Sequence, residues 1–528
     1  MKKFLALTVT IFCFGFNAFT QVPSYTVNVG GVPGTGYYFI SPLANGGSEN
    51  LHVLIDSIGR LVYYKQFFGP NTFDFKLQPN GLISYARQSK FYMMDSTFTI
   101  VDSVSCKNGV ATDFHDMQIL PNGHFLMMGD ETVNMDLSSY NYFLQNNSPG
   151  SVNASVLCLV IQELDANKNV VFEWHSKDYL AFDGADQFWL NSPSNVDWTH
   201  SNAIEMDTDG NIFVSSRHFN EITKINRADS TVMWRLGGKN NQFTFTGDTI
   251  PFYGQHDIRR IANGNITLYD NGNHVVPHGA RALEYQLDEV NKIAELKWSY
   301  TYDSSMFAYA TGNVQRLPNA NTLINYGVNQ NTRNIYFNVV DSLGNTQVEF
   351  FFDDTLFSYR SYNFELPYSL PRVQITCFDS SGVKYLDAGA GHNKYIWSTG
   401  DTTQTIPVST TGNYHVFVPF GRGGFLCSQV LAVGNVSDPC STGLTEMLTY
   451  NGANIYPNPV HDVLRVKLSN ELSSTTKQVT ICDASGRKVL TSPISYVEGE
   501  IVFNVAFLDD GLYLLRINNT VTRFVKVH

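Results

Sequence analysis

Three histidines stand in comparable polar settings: Asp113-Phe114-His115-Asp116, Asp197-Trp198-Thr199-His200-Ser201-Asn202 and Gln255-His256-Asp257. Ser216-Arg217-His218 follows the second of them, and Asp270-Asn271-Gly272-Asn273-His274 follows the third. An imidazole accepts and releases protons near neutral pH and, when neutral, is a nucleophile. Each of the three precedes a segment of one repeated type. They are therefore expected to occupy one place in a repeat and to converge. A lone histidine there is more often structural, but three at one repeat position argue for a proton-transfer and anion-binding site. Three imidazoles also suit a metal ion. Arg217 counts against the metal and for an anionic substrate, because it brings a fixed cation to the same place.

The elements that must position these residues are read from the repeat. The segments KLQPNGLISY (76–85), QILPNGHFLMM (118–128), EMDTDGNIFVSS (205–216), RIANGNITLYD (260–270) and RLPNANTLINYG (316–327) share one form. Each is an apolar alternating run, an Asn- or Asp-containing turn, and a second alternating run, which predicts a β-hairpin. Between them lies a second hairpin type, as in LIDSIGRLVYYK (54–65), ELDANKNVVFEWH (163–175), INRADSTVMWRLGG (225–238) and VVDSLGNTQVEFF (339–351). From Asn80 through Asn122, Asp209 and Asn263 to Asn319 the turn spacings are 42, 87, 54 and 56. Alternating hairpins at this spacing predict the four-stranded blades of a β-propeller, whose innermost strands line a central channel. Six blades are expected, with five or seven left open by the spacing. An array of β-sandwiches would explain the strands but not the two alternating hairpin types. The 87-residue interval holds a long insertion, about 131–198, that either lids the channel or packs beside it.

The chain has 528 residues, a net charge of −12 and 13% aromatic residues. That is enough for about three domains and excludes intrinsic disorder. The acidic balance excludes a nonspecific nucleic-acid partner, which would need a cationic surface. Met1-Lys2-Lys3 followed by an apolar run to Phe16 reads as a signal peptide over 1–20. The run is too short to span a membrane, so no transmembrane segment is expected in the mature chain. Of seven Cys, Cys13 leaves with the leader, and Cys377 and Cys427 bracket one region and are candidates to pair.

The expected order is an all-β propeller over 21–365, an Ig-like β-sandwich over 371–435, a linker over 436–452 and a terminal β-sandwich over 453–528. KYIWSTGDTTQTIPVSTTGNYHVFV (394–418) resembles the Ig-like modules appended to secreted bacterial surface proteins. The last region opens with NIYPNPVHDVLRVKL (454–468), carries ASGRKVL (484–490) and ends GLYLLRINNTVTRFVKVH (511–528). It resembles the C-terminal sorting domain of the type IX secretion system. The resemblance implies that secretion machinery as a partner and a final place in the medium or on the cell surface.

The block DWTHSNAIEMDTDGNIFVSSRHFNEITKINRADSTVMWRLGG (197–238), then QHD (255–257) and LYDNGN (268–273), is similar to the nucleotide-independent arylsulfotransferases. That resemblance, over about 30–350, implies a six-bladed propeller that moves a sulfuryl group from an aryl sulfate donor to a phenolic acceptor without a cofactor. It implies His256 as the nucleophile, His200 and Asn202 as the partner pair, Arg217 as the anion-binding cation and His115 as a further catalytic residue. His218 and Asn271 follow as accessory substrate-binding candidates, with a structural role in the turn open for Asn271. No Gly-rich phosphate loop occurs, consistent with a donor that is not a nucleotide. The competing reading is a non-catalytic surface propeller used for adhesion. A metal-dependent hydrolase is the third.

Overall fold

In a computed structural model the described residues are 9–10, 22–31, 34–44, 50–141, 143, 148–273, 279–304, 306, 308–329, 335–352, 356–433, 436, 449–450, 453–456, 460–468, 478–483, 488–493, 496–497, 500–517 and 520–526. His274, most of residues 1–20, expected as a signal peptide, and most of residues 436–452, expected as a linker, lie outside them. No helix among the described residues is long and apolar enough to cross a membrane.

Among the described residues the propeller region contains six sheets of four or more strands, antiparallel but for one short parallel pairing in each of two sheets. Their first strands are Leu356–Phe364, Phe73–Leu77, Ala111–Ile119, Ser201–Met206, His256–Arg260 and Asn313–Arg316. Each of these touches the next, and the last touches the first, so they close a ring around the axis. Both chain ends of the ring are locked by strand exchange. Leu356–Phe364 pairs with Tyr37–Ala44 to give the first sheet its inner strand, and Tyr25–Val29 pairs with Thr346–Phe352 at the outer edge of the sixth.

Strands inside the sheets, such as Ile212–Ser216, Ile266–Asp270 and Thr322–Asn325, are buried on both faces, whereas outer strands such as Ile293–Tyr300 alternate. In Ile212–Ser216, for example, Ile212 and Val214 join the core shared with the third sheet, while Phe213 joins the core shared with the fifth. One such apolar layer lies between each neighbouring pair of sheets. Burying each of these side chains contributes about 1.5–3 kcal/mol.

The five Asn/Asp-turn segments are the inner hairpins of sheets two to six, and the four segments of the second type are outer hairpins. In each inner turn the Asn or Asp side chain accepts the backbone N–H two residues on. Upstream of the turn the inner ladders of sheets two to five break register, between Phe73 and Lys76, Thr112 and Met117, Ser201 and Ala203, and His256 and Arg259. Such bulges turn side chains out of the sheet, here toward the axis.

The 131–198 insertion is partly a lengthening of the third sheet, whose strands Phe125–Met135 and Ala154–Leu164 run 11 residues each. Its remainder carries short helical turns, including Gln187–Trp189. The 371–435 region packs into the first sheet rather than standing apart. Gly424–Cys427 pairs with Leu61–Phe67, extending that sheet to seven strands. Cys377 is disulfide-bonded and Cys427 is a buried thiol, so these two do not pair. The terminal region forms two sheets that enclose Ile455, Leu464, Val466, Val479, Ile481, Leu515 and Phe524.

Candidate active site

His256 opens the inner strand of the fifth sheet and is 2% exposed. Its Nδ1 lies 2.8 Å from Asn271 Oδ1, and Asn271 Nδ2 donates to Thr311 O at 2.9 Å. The amide orientation fixes the ring: Nδ1 carries the proton and donates, so Nε2 holds the lone pair. The Thr311 N–H donates to that nitrogen at 3.0 Å. Burial, and then the charge of Arg217, hold His256 well below the ordinary imidazole pKa. The ring is therefore neutral near pH 7. Thr311 makes this contact from a left-handed backbone (φ 63°).

His115 and His200 are each oriented by a nearby carboxylate. His115 Nδ1 donates to Asp113 at 2.8 Å, and His200 Nδ1 donates to Asp197 at 2.5 Å. In both pairs Nδ1 is taken and Nε2 is left for the site. Burial opposes a charge on His115, but the Asp113 carboxylate outweighs it and raises the pKa above the ordinary value. Burial likewise opposes charge on Asp197, yet its bond to His200 prevails and brings the carboxyl down to about 2. The His115 and His200 rings meet edge to face with centroids 5.5 Å apart. The charges of His200 and His115 also lower the pKa of His256.

Arg217 lies flat on Trp189, with Cζ 4.0 Å from the ring centroid. Its Nη2 donates to Tyr309 O at 2.5 Å, while its buried Nε has no partner. Burial lowers its pKa to about 10. A buried guanidinium with an unmet donor is a place for an anion. His218 is a wedge: it stacks on Trp189 and on His200, and its Nδ1 donates to Asp197 O at 2.7 Å. Burial brings His218 down to about 3, so it is neutral. Asn202 is fully buried, and its Nδ2 donates to Gln255 O at 2.8 Å, tying the fourth sheet to the residue before His256. Phe114 and Tyr309, 38% and 46% exposed, supply aromatic surface at the rim. Asp197, His200 and His218 also offer three metal-ligand atoms within 4.8 Å of one another. Both Nδ1 atoms in that set are already bonded to Asp197.

The shared repeat position needs one correction. Counted back from the turn residue, His115 and His256 stand seven positions before Asn122 and Asn263, but the residue seven before Asp209 is Asn202. His200 lies two residues further upstream, outside its strand, at φ 42°.

One position after that layer, Asp74, Asp116 and Asp257 stand six residues before their turns. They fill the axis together with Lys76, Arg259 and Arg360. Lys76 meets Asp74 and Asp116 at 2.6 Å each. Arg259 meets Asp116 at 2.7 Å and Asp257 at 2.8 Å, and Arg360 meets Asp74 at 2.9 Å. Three carboxylates thus face three cations in a buried, charge-matched plug. The repeated spacing Asp-x₅-Asn was a legible signal for this layer. Thr311, Tyr359 and Arg360 carried no such signal. They reach the site because the ring closes, with the Tyr359 hydroxyl donating to His115 O at 2.8 Å.

Residues 454–527 match the family model of the secretion system C-terminal sorting domain, which places the protein in the medium or at the cell surface. Among curated proteins nothing matches. Solved structures similar to the chain include a protein of unknown function from Bacteroides caccae, 11% identical with TM-score 0.40, covering 62% of this chain and 98% of that one. A streptogramin B lyase is 11% identical with TM-score 0.32, covering 69% and 94%. PorZ of the type-IX secretion system of Porphyromonas gingivalis is 10% identical with TM-score 0.24, covering 97% and 86%. At these levels none of them bears on activity. The model for arylsulfotransferase (ASST) matches residues 34–360 of the 528, more than half of the sequence, and the chain belongs to that family.

Proposed function

We propose that the protein transfers a sulfuryl group from an aryl sulfate ester to a phenolic acceptor through a sulfo-histidine at His256, within a six-bladed ring. The observation that carries this reading is the His256 ring itself. It is neutral, with its proton held on Nδ1 by Asn271 and its Nε2 lone pair on the side of Thr311 N–H, close to a cation whose Nε is unmet.

The Nε2 lone pair leaves the Thr311 N–H and attacks sulfur as the S–O bond to the aryl group breaks. The phenolate takes a proton from His115, whose pKa the Asp113 carboxylate raises against the opposing effect of burial. The N-sulfo group stays on His256. The acceptor phenol then gives its proton to the now neutral His115 and attacks sulfur, the N–S bond breaks, and the Nε2 lone pair returns. Arg217 and the vacated Thr311 N–H donate to the sulfuryl oxygens as charge shifts onto and off them. Asn202 and Asn271 act as positioning residues. His200, oriented by Asp197, and His218, stacked on it, complete the wall on the Arg217 side. Phe114 and Tyr309 give the aryl ring an apolar face.

The test uses purified mature protein with 4-nitrophenyl sulfate and a phenol. Acceptor-dependent release of nitrophenolate, lost in His256→Ala, with a sulfo adduct on the His256 peptide, supports the reading. No release across a panel of aryl sulfates and acceptors favours a binding propeller. Release abolished by a chelator favours metal chemistry at Asp197, His200 and His218.

A further inference from the structure

A second cationic cluster lies at the seam where the first and second sheets meet the 371–435 region. Tyr63, Lys65 and Phe67 alternate onto one face of the strand Leu61–Phe67. Lys65 pairs across the ladder with His52 on one side and with Gly424 on the other. Arg422 stands in the turn just before Gly424 and is exposed. That turn is docked on the second sheet: Gly421 adopts φ 62°, and a Cβ there would meet Phe98 O at 2.8 Å. Arg87, from the second sheet, donates to Phe68 O at 2.7 Å and holds its Cζ 5.4 Å from the centre of the Phe67 ring. Lys65 Nζ lies 4.7 Å from the same ring.

No carboxylate among the described residues pairs with Lys65, Arg87 or Arg422. This is unusual in a chain of net charge −12, where the axial cations are all matched. Lys65 is only 7% exposed, and burial, then the charges of Arg422 and Arg87, bring its pKa down to about 8. Two buried polar groups beside the cations are also unmet. The His52 ring, stacked on Phe75 at 4.1 Å, has no partner for either nitrogen, and the Tyr63 hydroxyl has none. At the rim, Phe68 is 74% exposed, and Tyr92 stacks on Tyr85 with centroids 5.4 Å apart.

We propose that Lys65, Arg87 and Arg422 form a second anion site, independent of the sulfotransfer site, that binds a carbohydrate bearing sulfate esters or carboxylates. Gathered cations without counter-charges select the anion. Exposed Phe68 and half-buried Tyr92 beside them suit the apolar face of a sugar ring.

The experiment is calorimetric titration of the mature full-length protein with a heparin hexasaccharide, its desulfated counterpart and neutral maltohexaose. The sulfated sugar is expected to bind, more weakly as salt rises. Arg422→Gln, at an exposed turn, is expected to raise Kd about tenfold with an unchanged unfolding midpoint, Arg422→Lys to restore most of the affinity, and His256→Ala to bind like the wild type. Equal binding of the desulfated sugar assigns the carboxylates as the recognised group. Absence of binding, equal binding of maltohexaose, or indifference to both Arg422→Gln and Arg87→Gln would overturn the proposal.

Discussion

The Asn271 amide spans two contacts at once, accepting from His256 Nδ1 at 2.8 Å and donating to Thr311 O at 2.9 Å. Asn271 thus sets which nitrogen of His256 carries the proton. Asn271→Ala frees the ring to adopt the other tautomer or to turn. A fall in kcat of about 100-fold or more is expected, because loss of a tautomer-fixing partner in a comparable dyad costs as much. KM for 4-nitrophenyl sulfate should change little. An equal loss in KM, with kcat intact, would place Asn271 in substrate binding instead.

The pH profile follows from two shifts of opposite sign. His256 is needed neutral, and its pKa is held well below 6.5, so the acid limb of kcat/KM lies well below that value. His115 is needed protonated, and its pKa is raised above 6.5, so the alkaline limb lies above it. Asp113→Asn removes the carboxylate that raises His115, and the alkaline limb should move toward acid while the acid limb stays. If both limbs hold their places, His115 is not the acid.

Trp189 comes from the 131–198 insertion, which the sequence left undecided between a lid and a packing element. Its ring lies under Arg217 and parallel to His218, at 4.0 and 5.5 Å. Trp189→Ala removes the surface that holds the guanidinium flat. KM for the aryl sulfate should rise roughly tenfold, from a cation–π contact of about 0.5–2 kcal/mol and the freedom Arg217 gains. Trp189→Phe should recover most of this. A steady-state comparison of the three proteins decides whether the insertion serves the site or only covers it.

Much of the fold was legible because hairpin turns are written locally. Asn80, Asn122, Asp209, Asn263 and Asn319 each mark a turn by chemistry that needs no distant partner. The equal repeat positions of His115 and His256 were legible as equal offsets to those turns. His200 fitted less well, since the bulge after Ser201 gives the equivalent place to Asn202. Asp113 and Asp197 were in view as neighbours of histidines, but their roles depend on backbone bends at the bulges. Thr311 and Tyr359 could not be found by local reading at all, because only closure of the ring brings residues 311 and 359 to His256 and His115.

The fifth inner hairpin departs from the others in one respect that affects stability. Gly81, Gly123, Gly210 and Gly264 take positive φ just after the turn residue, whereas Ala320 does so at φ 66°. An L-residue pays about 1 kcal/mol for that conformation. Ala320→Gly relieves this strain at the cost of a more flexible unfolded chain, and a net gain of roughly 0.5 kcal/mol is expected. Thermal unfolding of the two proteins side by side reads it. A lower midpoint in Ala320→Gly would show that the turn is not strained.

The axial plug makes the most severe prediction for folding. Asp116 is fully buried and meets Lys76, Arg259 and Arg360 at 2.6, 2.7 and 3.3 Å. It is also bonded by the Ile204 N–H, so one carboxylate ties the second, third, fourth and fifth sheets to the closing strand. The three cations lower its pKa well below the ordinary carboxyl value against the opposing effect of burial. Asp116→Asn keeps the shape but leaves three buried cations facing two carboxylates. Breaking a buried ion pair in this way costs about 3–5 kcal/mol. The denaturation midpoint in urea should fall accordingly. The sign of the pH dependence is fixed as well. A depressed carboxyl stabilises the folded state above its unfolded pKa, and that stability is lost as pH falls through the folded value. The wild type should therefore keep this contribution through mildly acidic pH, and the gap between wild type and Asp116→Asn should narrow only in strong acid. A gap that is small at neutral pH would mean that the plug relaxes or admits a counter-ion when Asp116 is neutralised.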